Sequence, residues 1–321
     1  MASLAWLSDG TYHDDDLTHV LFARDAWESP RLFLHAWGRP GFTVPYALVA
    51  WIGDVDSGLM AARGLSIALT LGTGLLLIGP ARRLGVKRPL LVPALWLVMP
   101  LVFRAGFASL TETPAAFYVA LGAHLLARDR HRTAAVALSL LAITRLECLP
   151  LLAALGLYWV FRRRLIPALL LGAAPVAWNL ISYFALGEVP ARIYFARYDG
   201  IADAYGTGSL TFYVVRSVEA MGLPALVAAS LGSWVLLRRR GDVPKDDLAL
   251  LVSLGWPAWI ALHTWLYWRN DHASGGYARF LIPGLPLASL AAAVGLGRPH
   301  RSSLSAAGAV DRWKPEKGGR R

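Results

Sequence analysis

The stretch HDDDLTHVLFARDAW, His13 to Trp27, sets three consecutive aspartates, Asp14, Asp15 and Asp16, between His13 and His19. Carboxylates at neutral pH accept protons, and one held within hydrogen-bond reach of a hydroxyl acts as a general base. Asp15 and His19 are four residues apart, about one turn if the segment is helical, and offer two ligands to a divalent cation. The same aspartates suit the first turn of a helix, where the backbone dipole favours negative charge. Asp14 and Asp16 are explained by that alone. Whether Asp15 does more depends on where the rest of the chain puts it.

The elements that must position these groups are set by an apolar composition. Of 321 residues 56% are hydrophobic and only 17% charged, with 13 tryptophans; a soluble domain has about 25% charged residues. The expected fold is all-α, a polytopic transmembrane bundle. Apolar segments recur at roughly 57–79, 89–103, 113–127, 133–144, 148–161, 165–186, 222–237, 247–268 and 277–297, about nine spans, some needing neighbouring residues to cross a bilayer. The segment 39–53, RPGFTVPYALVAWIG with Trp37 and Trp51 near its ends, reads as an interfacial helix along the outer leaflet. The sequence divides into an outer-face segment at 1–56 with juxtamembrane helices and the acidic motif, a bundle at 57–297, and a basic, disordered cytoplasmic tail at 298–321.

A formal net charge of +11 would suggest nucleic acid in a soluble protein. Here the basic residues come in clusters, at Arg82–Arg88, Arg128–Arg132, Arg162–Arg164, Arg238–Arg240 and the tail, at alternate turns between spans. That is the positive-inside pattern of cytoplasmic loops, and no nucleic-acid partner is expected. The lone Cys148 excludes a disulfide framework and reads as a core residue.

With the clusters inside, the acidic residues share an address outside. Asp14, Asp15, Asp16 and Asp25 precede the first span, Glu112 opens the third, Arg145 and Glu147 occupy a turn, Glu188, Asp199 and Asp203 lie in the longest loop, and Asp271 and His272 face the same side. Charged groups at helix mouths are costly against lipid, so a shared aqueous cavity is expected there.

The motifs then resemble the GT-C glycosyltransferases that use lipid-linked sugars, the class including protein mannosyltransferases and the lipid A aminoarabinose transferase. DDLTHVLFAR, Asp15 to Arg24, is similar to the Asp-Glu-x-x-Tyr-x-x-x-Ala-Arg element of that class, with Asp15 at the catalytic aspartate and Asp16 at its acidic neighbour. The Pro-rich run from Arg39 leads to Ala62 and Arg63 entering a helix, as in the class. ASLTETPAAFY places Glu112 and Pro114 where the class has Asp-x-Pro, and YARFLIPGLPL, with Tyr277 and Arg279, resembles its Arg-Tyr-x-x-Pro-x-x-Pro element. The resemblance covers most of residues 13–295. It also implies that the first helix of the class is missing ahead of MASLAWLSDGTY, which has neither a signal-peptide core nor a span.

The resemblance implies transfer of a sugar from a polyprenyl phosphate to a hydroxyl of a lipid, glycan or protein acceptor, with inversion, by an integral membrane enzyme facing outward. The Ala, Gly, Arg and Leu bias suggests the inner membrane of a GC-rich bacterium. Asp15 is then the base, with Asp16 and Glu112 as further catalytic candidates. Arg279 and Arg145 are the candidates for the departing phosphate, because a guanidinium pairs bidentately with its oxygens. Glu147, Arg63, His19 and Tyr277 complete the expected binding surface, and a divalent cation on Asp15 and His19 stays open. Each has a plainer reading: Glu112 paired with Arg104, Arg145 with Glu147 locking a turn, Arg63 as an interfacial anchor, His124 and His263 as hydrogen-bonded core residues, Gly72–Gly74 as close helix packing. A transporter or flippase for a lipid-linked or anionic substrate is the competing class; it calls for inverted repeats and ionisable groups near the midplane, whereas these charges gather at one surface. An inactive membrane relative is the third.

Overall fold

A computed structural model describes residue 5 and residues 13–197, 206–238, 246–270 and 275–297. Every regular element among them is helical. Helix α1 (His13–Asp25) carries the three aspartates in its first turn and Arg24 in its last, the charge order that suits its dipole. Arg24 clamps the far end: it donates to the carbonyls of Ala50 (3.1 Å), Gly53 (2.7 Å) and Asp54 (3.0 Å), where α2 (Pro40–Ala50) turns into α3 (Val55–Leu76). Helix α3 starts on Asp54, whose carboxylate accepts from the Ser57 N–H at 2.9 Å. An apolar cluster of Val20, Ala23, Phe42, Tyr46, Ala47, Ala50 and Ala62 joins these three helices. Val44, Leu48, Trp51 and Ile52 are exposed on the other side, the two-faced character expected of an interfacial helix.

Helix α3 runs on through α4 (Ile78–Arg83) as one 29-residue stretch. This stretch, α15 (Asp247–Trp268) and the 19 residues Ala278–Leu296, which end in α16 (Leu285–Leu296), are long and apolar enough to cross a bilayer. A fourth crossing exists if α13 (Phe212–Met221) and α14 (Leu223–Arg238) form one broken span; they meet at 109° around Gly222, whose φ of 77° lies in the region glycine enters without steric cost. The remaining expected spans are shorter. Segment 89–103 divides into α5 (Leu91–Val98) and α6 (Pro100–Ala105), because Pro100 drives Met99 out of the helical region, to ψ 127°. Segments 113–127, 133–144 and 148–161 are α7 (Glu112–Leu126), α8 (His131–Ala142) and α9 (Leu149–Phe161), and 165–186 divides at Gly172 into α10 (Leu165–Leu170) and α11 (Ala173–Leu186).

The segment expected as the longest loop contains two helices, α12 (Pro190–Arg197) and α13. Helix α13 buries Tyr213, Ser217, Ala220 and Met221 on one face, while Arg216 and Glu219, paired at 2.5 Å, interrupt the apolar run that would have announced it. Asp199, Asp203, Asp271, His272, Arg239, Arg240 and the tail fall outside the described residues.

The core centres on α16, which is buried from Leu285 to Val294. Against it α14 approaches backbone to backbone: a Cβ on Gly232 would lie 1.8 Å from the Ala291 carbonyl oxygen, and one on Gly295 2.0 Å from that of Ala228. Ala228 and Gly232 thus face Ala291 and Gly295, the small-residue spacing that lets membrane helices touch. Gly74 likewise faces Pro93 and Trp96, as expected of Gly72–Gly74. His124 is hydrogen-bonded through Nδ1 to the Leu76 carbonyl at 2.9 Å, and Cys148 is buried. His263 departs from its expectation: it is buried among the rings of Tyr213, Trp259 and Phe280, and neither nitrogen has a hydrogen-bond partner among the described residues. Outward, Phe161, Leu169 and Phe184 are about four-fifths exposed. A belt of large apolar side chains around a helical bundle belongs in lipid, and the protein is an integral membrane protein.

Candidate active site

Helices α1, α7, α8 and the segment entering α16 bring one set of charged side chains to the same end of the bundle. Arg279, in a 3-10 segment (Ala278–Gly284) opened by Tyr277, reaches across 264 positions of sequence to hydrogen-bond the Asp15 carboxylate through Nη2. Its Nε lies 3.6 Å from Glu112 Oε1, and the same oxygen accepts from Arg145 Nη1 at 2.6 Å. Arg145 Nη2 in turn meets Glu147 Oε1 at 2.5 Å, and Glu147 Oε2 accepts from the Tyr194 hydroxyl at 3.2 Å. Asp15, Arg279, Glu112, Arg145 and Glu147 therefore form one alternating chain. Arg145 bridges Glu112 and Glu147, and so does more than lock a turn.

The ends of the chain differ. Glu112, Arg145, Glu147 and Arg279 are at most 6% exposed, whereas the Asp15 side chain is 29% exposed, which leaves it open to an incoming hydroxyl. Buried charges survive only where partners are paired closely. Aromatic faces help: the Arg145 guanidinium lies 4.4 Å from the Phe280 ring centre, and that of Arg279 5.1 Å from Tyr277 and 5.5 Å from Phe280. Phe280 is itself fixed by its carbonyl, which accepts from Trp259 Nε1 at 2.7 Å.

Burial works against charge on Asp15, but the Arg279 guanidinium, by attraction and hydrogen bond, outweighs it and holds the carboxyl below its ordinary 3.8. His19 goes the other way. Its burial, followed by the repulsion of Arg39, lowers it to about 3, so it is a neutral imidazole at physiological pH. It stacks on Trp37 at 5.5 Å and tilts against Phe42. Asp15 and His19 give a cation two ligands at most, and among the described residues no three of His, Cys, Asp and Glu converge as a metal site would require.

Asp16 is buried, and its carboxylate accepts from the Ser109 N–H at 2.8 Å. It ties the start of α1 to the turn before α7, and so sets the position of the neighbouring Asp15. Arg63 lies on α3 and donates to the Ala5 carbonyl at 3.1 Å. Arg39, Thr111, Tyr194 and Phe280 are site residues that sequence reasoning missed. Arg39 Nη1 lies 3.2 Å from the Thr111 hydroxyl, which Arg145 Nη1 also reaches at 3.2 Å, and its guanidinium lies 5.6 Å from the Tyr194 ring. Its backbone has φ 61°, an uncommon conformation for arginine and the sort of strain that gathers at functional sites. The one sequence sign is an arginine directly before the Pro40 that opens α2. Tyr194 sits on α12, inside the stretch expected as a loop. Changing Tyr194 to Phe should cost about 1 to 3 kcal/mol, the worth of a buried hydrogen bond to a charged group, measured as a lower midpoint in detergent unfolding.

The arrangement of helices is similar to that of two solved structures. In particular, the chain superimposes on ArnT from Cupriavidus metallidurans: on the crystal structure bound to undecaprenyl phosphate with a TM-score of 0.66 at 15% identity, and on the apo crystal structure with 0.64 at 14%. Each match takes in 92% of this chain, which spans 58% and 57% of the respective ArnT chains. No family model and no curated protein matches the sequence.

Proposed function

We propose that the protein transfers a sugar from a polyprenyl phosphate to an acceptor hydroxyl at the outer face of the bacterial inner membrane. The observation that carries this reading is the Asp15–Arg279 pair, one partly exposed base beside one buried guanidinium, on a fold similar to that of a protein solved bound to undecaprenyl phosphate. The acceptor oxygen attacks C1 of the sugar as its proton passes to Asp15, the bond from C1 to the phosphate oxygen breaks, and the leaving phosphate keeps the electron pair. A single in-line displacement inverts C1. Arg279 stabilises the charge that gathers on the phosphate. Glu112, Glu147 and Arg145 hold Arg279 in place, Asp16 positions Asp15, and Tyr277 and His19 line the approach. The acceptor is a lipid, glycan or protein hydroxyl.

Donor phosphate and Asp15 compete for one guanidinium. When the phosphate takes Arg279, Asp15 loses the partner that depresses its pKa and becomes a stronger base only in the loaded enzyme. The carboxylate form is present above its pKa and lost as pH falls through it. kcat/KM, which reports the free enzyme, should therefore stay level from about pH 7 to about pH 5, while the acid limb of kcat lies at higher pH. Coincident limbs in the two profiles would refute the exchange.

The direct test is transfer from a panel of radiolabelled polyprenyl-phosphate sugars in membranes containing the protein; no transfer above empty membranes from any donor would end the proposal. The outward orientation has its own test. In Cys148→Ser protein, Glu188→Cys should react with an impermeant thiol reagent in intact cells and Arg163→Cys should not; the reverse pattern would put the site on the cytoplasmic side.

A further inference from the structure

At the opposite end of α7, about 20 Å from Glu112 at 1.5 Å per residue, the turns α7–α8 and α9–α10 flank an open pocket. It measures about 860 Å³, within the roughly 300 to 1,000 Å³ usual for ligand pockets, and is lined by Arg130, His131, Arg132, Arg163, Arg164 and Leu165 among others. Its wall is built rather than incidental. Asp247, buried at the start of α15, accepts from Trp159 Nε1 at 2.8 Å and Tyr158 at 3.2 Å, lies 3.2 Å from His131 Nε2, and binds Arg164. The acid at the rim, Asp129, lies 3.4 Å from Arg83. Arg132 and Arg163 are exposed, and neither they nor Arg130 form an ion pair among the described residues.

A second cavity of about 710 Å³ lies between α9 and α10–α11, lined by Leu152, Gly156, Leu157, Leu169 and Pro175, with only apolar residues along it. Leu165 lines both, so the basic pocket and the apolar groove adjoin at this residue. Arginines at inward turns follow from insertion alone. Insertion does not require a pocket between them, nor an apolar groove beside it.

We propose that this composite site binds an acidic phospholipid, its phosphate headgroup among Arg130, Arg132 and Arg163 and an acyl chain in the groove beside Gly156. Charge and shape agree on this occupant. Among the described residues the pocket carries positive charge that no carboxylate pairs, the groove carries none, and the positive-inside rule puts both at the leaflet where anionic lipids gather.

The test is native mass spectrometry of the full chain in zwitterionic detergent, titrated with phosphatidylglycerol or phosphatidylcholine of identical chains. At about 1 kcal/mol per arginine near the surface, wild type should favour phosphatidylglycerol by about tenfold or more. The preference should shrink when ammonium acetate is raised, and fall to about fivefold or less in the Arg132→Gln/Arg163→Gln double variant, which keeps Arg130. Gly156→Leu should weaken phosphatidylglycerol binding severalfold by filling the groove; its Cβ has ordinary room, 3.6 Å from the nearest Leu171 atom. Soluble glycerol 3-phosphate should not displace the lipid at equal concentration. Equal affinity of wild type for the two lipids, a salt-insensitive preference, or full displacement by glycerol 3-phosphate would each overturn the proposal, the last by showing a site for free anions.

Discussion

Asp15→Asn should abolish most sugar transfer, by about 10² to 10⁴-fold, the usual worth of a general base, while the protein still inserts and folds. Asparagine keeps the volume and can still accept a hydrogen bond from Arg279, so α1 stays in register through the Arg24 clamp and the Asp16–Ser109 contact. The variant has a second signature. With the Asp15 carboxylate gone, competition at Arg279 Nη2 is removed while the Glu112 contact at Nε stays, and free polyprenyl phosphate should bind at least as tightly as to wild type in detergent. Lost transfer with retained or improved product binding assigns Asp15 to chemistry. Activity within about threefold of wild type, less than about 1 kcal/mol of barrier, removes it from the mechanism.

For Arg279 the informative change is to lysine. The charge is kept, but one compact ammonium cannot span both Asp15 and Glu112 or offer two parallel donors to a phosphate. Transfer should fall by about 10² to 10³-fold, as when a transition-state donor is removed, and Arg279→Ala should also weaken product inhibition. If lysine serves as well as arginine, Arg279 is only a positive anchor, and the phosphate role passes to Arg145 or Arg39. Product inhibition unchanged in Arg279→Ala would force the same reassignment.

The all-helical membrane fold was legible because composition and apolar segments decide it, and the residues at helix mouths could be chosen because charge against lipid is costly. Asp15, Glu112, Arg145, Glu147 and Arg279 converge as their shared side of the topology implied. What the sequence hid was local. A proline at 100 and a glycine at 172 break runs whose hydropathy is continuous, and α13 was concealed by a surface ion pair. Arg39 was hidden differently: its place depends on a left-handed backbone and on Thr111 and Thr144, 72 and 105 residues away, which no spacing rule reaches.

The order in which the chain supplies its charged residues has a consequence for biogenesis. Glu112 and Arg145 are 33 residues apart on one helical hairpin and can pair soon after that hairpin enters the membrane. Asp15 waits for Arg279, 264 residues later; at about 5 to 20 residues per second of synthesis, that is roughly 13 to 53 seconds. The Asp15–Arg279 pair therefore closes only after the segment leading into α16 has been inserted. A ribosome that stalls before α16 leaves a membrane-embedded intermediate whose Asp15 lacks its Arg279 partner, so in the proposed mechanism incomplete chains hold the base without the guanidinium assigned to the phosphate.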